Sequence, residues 1–226
     1  MKTAQKGFTL VEIAIVLVII GLLLGGILKG QEMIVQARIK NVIADVTGVS
    51  AALYGYQDRY RAVPGDDVNA NPRWGAAVAG NGNGVVAGTY NAACPVTPVA
   101  GTTPESCLFW HHLRLAGFVA GNGTTQPFNA LNGLIGVQTG DGVGGAVLPS
   151  TVPVVSPGFT GMLICTSNLP DKIAIAVDTQ MDDGDVRIGS MRGQLNTGTN
   201  PAIAATGETA NFVENGTNAY TLCRAL

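Results

Sequence analysis

The side chains that could do chemistry in this chain are few, and most are acids. Glu12 follows Phe8-Thr9-Leu10-Val11 and precedes an almost unbroken apolar run over residues 13–28. A carboxylate in such surroundings is costly unless paired, which makes Glu12 a functional candidate. Its other reading is a charge that favours the start of a helix through the dipole, or that reaches toward lipid headgroups. A second group is Asp178, Asp182, Asp183 and Asp185, four carboxylates within eight residues around Gly184. Hard oxygen ligands in a tight turn suit Ca²⁺, although the spacing is not that of an EF-hand loop and no glutamate closes it. The bland counterpart is a solvated hairpin turn whose aspartates bond their own backbone.

Trp110-His111-His112 contains both histidines of the chain. Adjacent residues diverge on a helix, so the pair reads as packing rather than as a metal or catalytic site. No nucleophile motif, phosphate-binding glycine loop or zinc-hydrolase signature is found; the glycines lie in Asn/Thr loops without the strand-to-helix context such sites need. The chain reads as a non-enzyme with no cofactor beyond the candidate Ca²⁺.

Four cysteines, Cys94, Cys107, Cys165 and Cys223, suit an oxidising compartment. Three pairings are open; Cys94–Cys107 with Cys165–Cys223 is preferred, the second tying the last residues into the body. Chain entropy gives about 3 and about 4 kcal/mol for loops of those sizes. Zinc is disfavoured because no cysteine pair has the two-residue gap of a structural site.

The elements that must position these groups begin with the apolar run. Residues 8–28 are twenty-one in number, about the length that crosses a hydrocarbon core of roughly 30 Å as a helix. A secretory signal has a shorter apolar core followed by a small-residue cleavage site, whereas this run flows into a polar helical pattern at Lys29. Lys2 and Lys6 precede it and hold that end in the cytoplasm by the positive-inside tendency. The 226 residues then accommodate one anchor and one globular domain of about 160 residues. A formal charge of -2, with 12% charged residues, leaves no electrostatic footprint for nucleic acid.

Beyond the anchor, Val35, Ile39, Val42, Val46, Val49, Leu53, Tyr56 and Tyr60 alternate spacings of four and three. This seam predicts a helix continuing to about Tyr60, roughly 80 Å in all, with one face of its second half lying on the chain's own sheet. A dimeric coiled coil is disfavoured by Gly48 and Gly55 and by a seam of valine and aromatics rather than leucine. Gly21, Gly25, Gly26 and Gly30 allow close helix approach in hydrocarbon and invite a bend or a melted turn. Val63-Pro64-Gly65-Asp66-Asp67 ends the helix in a turn.

Residues 66–160 are dense in Gly, Asn, Pro and Thr, including the proline-spaced stretch 149–158, and predict long surface loops. One amphipathic helix is expected at 105–119. Strands are expected at 162–166, 172–178, 185–189 and 219–223, with 172–178 and 185–189 forming an antiparallel pair across the acidic turn. The apolar side of the long helix is the expected cover of the sheet. The fold class is thus α+β.

Lys6-Gly7-Phe8-Thr9-Leu10-Val11-Glu12, followed by Ile13-Ala14-Ile15-Val16-Leu17-Val18-Ile19-Ile20-Gly21, resembles the processing and assembly signal of the type IV pilin family, including the pseudopilins of type II secretion. The Tyr60-Arg61-Ala62-Val63-Pro64-Gly65-Asp66 junction is similar to family members as well. The resemblance implies a pilin-like fold, a long N-terminal helix with an antiparallel sheet of about four strands on its C-terminal half. It implies four parts: a leader at 1–7, a transmembrane and filament-core half-helix at 8–29, a periplasmic half-helix at 30–61 and a globular domain at 62–226. It also implies cleavage between Gly7 and Phe8 by an inner-membrane prepilin peptidase, N-methylation of Phe8, and extraction by an assembly platform into a helical filament with other pilins. Glu12 would then meet the Phe8 amine of an adjoining subunit. The chain departs from many members in having no proline between Phe8 and Tyr60. Major pilin, tip or adhesive subunit, and pseudopilin of a short secretion filament all stay open.

Overall fold

The computed structural model describes residues 7, 9–75, 77–141, 147–149 and 157–226. Phe8, most of the expected leader and most of the proline-spaced stretch lie outside the described residues. By compactness the chain divides into Met1–Arg38 and Ile39–Leu226.

Helix α1 runs without interruption from Leu10 to Tyr60, through Gly21, Gly25, Gly26 and Gly30, so no turn is melted there. Within the first unit the helix is exposed almost throughout, and its apolar window is long enough to cross a membrane. In the second unit the seam reads out as expected. Ile39, Val42, Val46, Val49, Leu53 and Tyr56 are buried, joined by Ser50 and Ala52, and the helix stops one residue before Arg61 takes a left-handed conformation at φ 53°.

A short helix, α2 (Ala70–Trp74), follows the turn, and α3 (Glu105–Leu115) occupies the expected amphipathic segment. Four strands, β1 (Ile135–Thr139), β2 (Met162–Pro170), β3 (Met191–Leu195) and β4 (Ala219–Ala225), form one antiparallel sheet in the order β1-β2-β4-β3. Helix α4 (Asp171–Met181) is inserted between β2 and β3 and packs on β2 and β4.

The α1 side of the sheet shares one apolar core: Val46, Val49, Leu53 and Tyr56 of α1 with Phe109, Trp110 and Leu113 of α3, and with Ile135, Val137 and Ile164 of the strands. Side chains alternate along a strand. Leu163 and Cys165 therefore face the other way, where Tyr90, Val147 and Leu148 from the loops and Cys223 of β4 form a second core. The long Gly/Asn/Thr loops thus cover the second sheet face, while the helix covers the first as expected. Gly136 is needed for this packing, since a Cβ there would lie 2.1 Å from the Tyr90 carbonyl oxygen.

Two of the expected strands are corrected. Residues 172–178 are the body of α4, with Ile173, Ala174 and Val177 on its buried side. Residues 185–189 form turns, and the strand begins at Met191. The antiparallel pair across the acidic turn is therefore not present; the turn instead links a helix to a strand. The strands expected at 162–166 and 219–223 are found and run longer.

Candidate functional site

At the start of α1, Thr9 and Glu12 close on each other. The Thr9 backbone N–H and hydroxyl both donate to Glu12 Oε2 at 2.8 Å, and the Glu12 N–H donates to Thr9 Oγ1 at 3.3 Å. This is a capping box, in which a threonine and a glutamate three residues on satisfy orphan donors of the first turn. The Thr-x-x-Glu spacing was the sequence signal for it, and the reading of Glu12 through the helix dipole alone missed it. Gly7 is exposed and Phe8 lies outside the described residues. Leu10, Val11, Ile13, Ile15, Val16 and the apolar residues on to Leu28 are exposed on every side of the helix. In water such a surface is unfavourable by about 25 cal/mol for each Å². The first unit thus presents an apolar helical surface long enough to cross a membrane.

The turn after α1 is a carboxylate-organised junction. Asp67, 1% exposed, accepts from the Tyr56 hydroxyl at 2.6 Å, Arg73 Nη1 at 2.5 Å and the Asn69 N–H at 2.8 Å. Burial pushes Asp67 upward, but these bonds and the Arg73 charge outweigh it and hold the carboxyl below its usual range. Burial, reinforced by Asp67, pushes the Tyr56 phenol well up, so it stays a donor. Asp66 gathers the glycine loop, accepting from the N–H groups of Gly82 at 2.6 Å and Gly84 at 2.7 Å. Glu105 does the same for Asn81 and Ala87, both at 3.0 Å.

His112, fully buried on α3, accepts from the Gly65 N–H at Nδ1 (2.9 Å) and donates from Nε2 to the Val78 carbonyl (2.8 Å). Both bonds need the neutral Nε2–H tautomer. Its role is to pin two loops to α3, in line with the packing reading.

Both preferred disulfides are present. Cys94–Cys107 fastens the loop before α3 to its first turn, and Cys165–Cys223 joins directly opposite residues of β2 and β4, with Cα atoms 4.0 Å apart.

Of the four candidate calcium aspartates, the structure brings three together. One carboxylate oxygen from each of Asp178, Asp182 and Asp183 lies within 4.8 Å of the others. Asp185 is drawn away by Arg187, whose Nε and Nη2 donate to it at 2.8 and 2.6 Å and hold its carboxyl below the usual range. Asp178 is fully buried, and neither of its carboxylate oxygens has a hydrogen-bond partner. The Gly184 backbone favours the anion only weakly. Burial and then the charges of Asp183, Asp182 and Asp185 push Asp178 up to about 7.

Comparison with known proteins bears on the N-terminal end first. Residues 2–28 match the prokaryotic N-terminal methylation motif. Over 101 residues, 41% of this chain, the sequence is 31% identical to the type IV major pilin protein PilE of Neisseria gonorrhoeae. The aligned part spans 60% of that relative's length. By its methylation motif, this likeness and a long N-terminal helix in a chain with a four-stranded antiparallel sheet, the chain is similar to type IV pilins.

Proposed function

We propose that the chain is a structural subunit of a type IV pilus or a related filament, made as a single-pass inner-membrane precursor and assembled through the first half of α1. The observation that carries this reading is the apolar surface of the first unit, whose described residues are exposed over its most apolar window. In the precursor, lipid covers that surface; in a filament, the same helices of neighbouring subunits and other pilins replace the lipid. A prepilin peptidase cuts between Gly7 and Phe8 and methylates the Phe8 amine, and an inner-membrane platform extracts the mature subunit.

Glu12 gives the assembly its register. Thr9 occupies Oε2 alone, which leaves Oε1 to face a neighbour, and the Phe8 amine exposed by cleavage is the cation within the same layer. An ion pair in apolar surroundings is strong only when both charges are present and well placed, so subunits staggered wrongly along the axis are penalised. Likeness to a major pilin supports a pilus in preference to a secretion filament or a tip-only subunit.

The test is mass spectrometry of the N-terminal peptide from filaments sheared off the cell surface. The proposal expects a peptide beginning at N-methylated Phe8, along with loss of surface filaments on deletion of the gene. A mature chain that begins elsewhere, or one recovered as a soluble monomer, contradicts it. Deletion that stops enzyme export while leaving pili intact assigns the chain to a secretion filament instead and overturns the pilus assignment.

A further inference from the structure

We propose that Asp178, Asp182 and Asp183 bind a calcium ion that clamps the loop 182–190 onto the C-terminal end of α4. Three carboxylates converge where they are least stable by themselves. The C-terminal end of a helix carries the negative pole of its dipole, and α4 has no basic residue in its last turn to offset it. Arg187 is committed to Asp185. Arg192 lies close enough to feel Asp182 and Asp183, yet it donates to the carbonyls of Gly189, Leu148 and Pro157 and stacks on Phe159.

The independent pointer to a ligand is Asp178. It is completely shielded from water, its two oxygens are without hydrogen bonds, and one of them belongs to the converging set. A buried carboxylate without donors loses its hydration with nothing in return, and metal coordination is one of the few ways to restore it. The other two ligands are held in place. Asp182 accepts from the Met191 N–H at 2.9 Å and the Ser190 hydroxyl at 3.2 Å, and Asp183 accepts from the Asp185 N–H at 2.9 Å. Gly189, at φ 79°, lets the loop come this close, since a Cβ there would fall 1.8 Å from Asp182 Oδ2.

The chemistry selects the ion. Oxygen donors alone suit a hard cation, and Ca²⁺–oxygen distances of about 2.3–2.6 Å place ligand atoms up to about 5 Å apart across the ion, which the 4.8 Å spread matches. Three carboxylates supply three to about six oxygens, with water and backbone completing the shell. Mg²⁺ demands a stricter octahedron and gives up its water reluctantly, and Zn²⁺ prefers nitrogen and sulfur.

The experiment is thermal unfolding and calorimetric titration of the full chain in detergent, with CaCl₂, MgCl₂ or EGTA. At about 1 mM, within the range of extracellular calcium modules, Ca²⁺ is expected to raise Tm by several degrees over EGTA, with Mg²⁺ giving a smaller rise. Asp183→Asn, at an exposed position, is expected to weaken calcium binding at least tenfold, a threshold of about 1.4 kcal/mol. Asp178→Asn is expected to abolish the calcium response while melting in EGTA no lower than the unaltered chain, since it removes the buried charge. No calcium-specific rise in the unaltered chain, or an undiminished rise in Asp183→Asn, overturns the proposal; Asp183→Asn decides the matter should Asp178→Asn fail to fold.

Discussion

The Tyr56 hydroxyl donates to Asp67 Oδ2 at 2.6 Å, joining the last apolar turn of α1 to the turn that follows it. Arg73 donates to the same oxygen and lies over the Tyr60 ring at 4.3 Å, so one carboxylate fixes the helix end, the junction and α2 together. Asp67→Ala leaves the Tyr56 hydroxyl and the Arg73 charge without their shared acceptor. The expected loss is about 2–4 kcal/mol of unfolding free energy, read from urea denaturation of the purified chain. A loss below about 0.5 kcal/mol, the scale of ordinary surface changes, contradicts this role.

Acid should loosen the same region in two stages. His112 is held below its ordinary pKa chiefly by burial, so the unfolded chain binds its proton more readily than the folded one. Stability is therefore full above the unfolded value near 6.5 and declines as pH falls below it, until the folded imidazole also protonates. Asp67, whose folded pKa is depressed, adds stability that is present above about 3.9 and is lost as pH falls through its folded value. Urea midpoints measured from pH 8 to pH 4 check the first stage. His112→Gln is expected to flatten the decline just below pH 6.5.

Much of this architecture is legible in the residues, and the failures have identifiable causes. The alternation of fours and threes from Ile39 to Tyr56 has one physical meaning, a helix with one buried face, and that face is buried. Residues 172–178 were ambiguous. Ile173, Ile175 and Val177 alternate like a strand, whereas the buried set is Ile173, Ala174 and Val177, at helical spacing. A short apolar run satisfies both periods, and tertiary packing decides. Strands β1 and β3 each carry a glycine and a glutamine among five residues, so their propensity is weak and pairing with β2 and β4 creates them. Asp185 was grouped with its neighbours by proximity in sequence, but the bidentate pull of Arg187, two residues on, is a geometric fact that spacing does not reveal.

The Cys165–Cys223 bridge closes a loop of 58 residues across β2 and β4. Replacing both cysteines by alanine is expected to cost about 4 kcal/mol, against about 3 kcal/mol for the pair Cys94 and Cys107. Denaturant midpoints under non-reducing conditions check the order. A larger loss from the Cys94 and Cys107 pair contradicts the loop-closure argument.

A bulky side chain at Gly7, as in Gly7→Phe, is expected to block processing. The precursor would keep its leader, stay in the membrane fraction and migrate above the mature chain on a gel. Full conversion to the mature form would remove Gly7 from the cleavage site.

The role proposed for Glu12 is exerted through its charge on a neighbouring subunit, beyond its capping bond with Thr9. Glu12→Gln separates the two, because glutamine at this position can still close the capping box but carries no charge. Counting filaments by electron microscopy in Glu12→Gln and Glu12→Ala cells, with immunoblots for cleavage and membrane insertion, is the most direct measurement. Both variants are expected to be cleaved and inserted yet to enter few or no filaments; Glu12→Gln filaments in normal number would rule out a role for the charge.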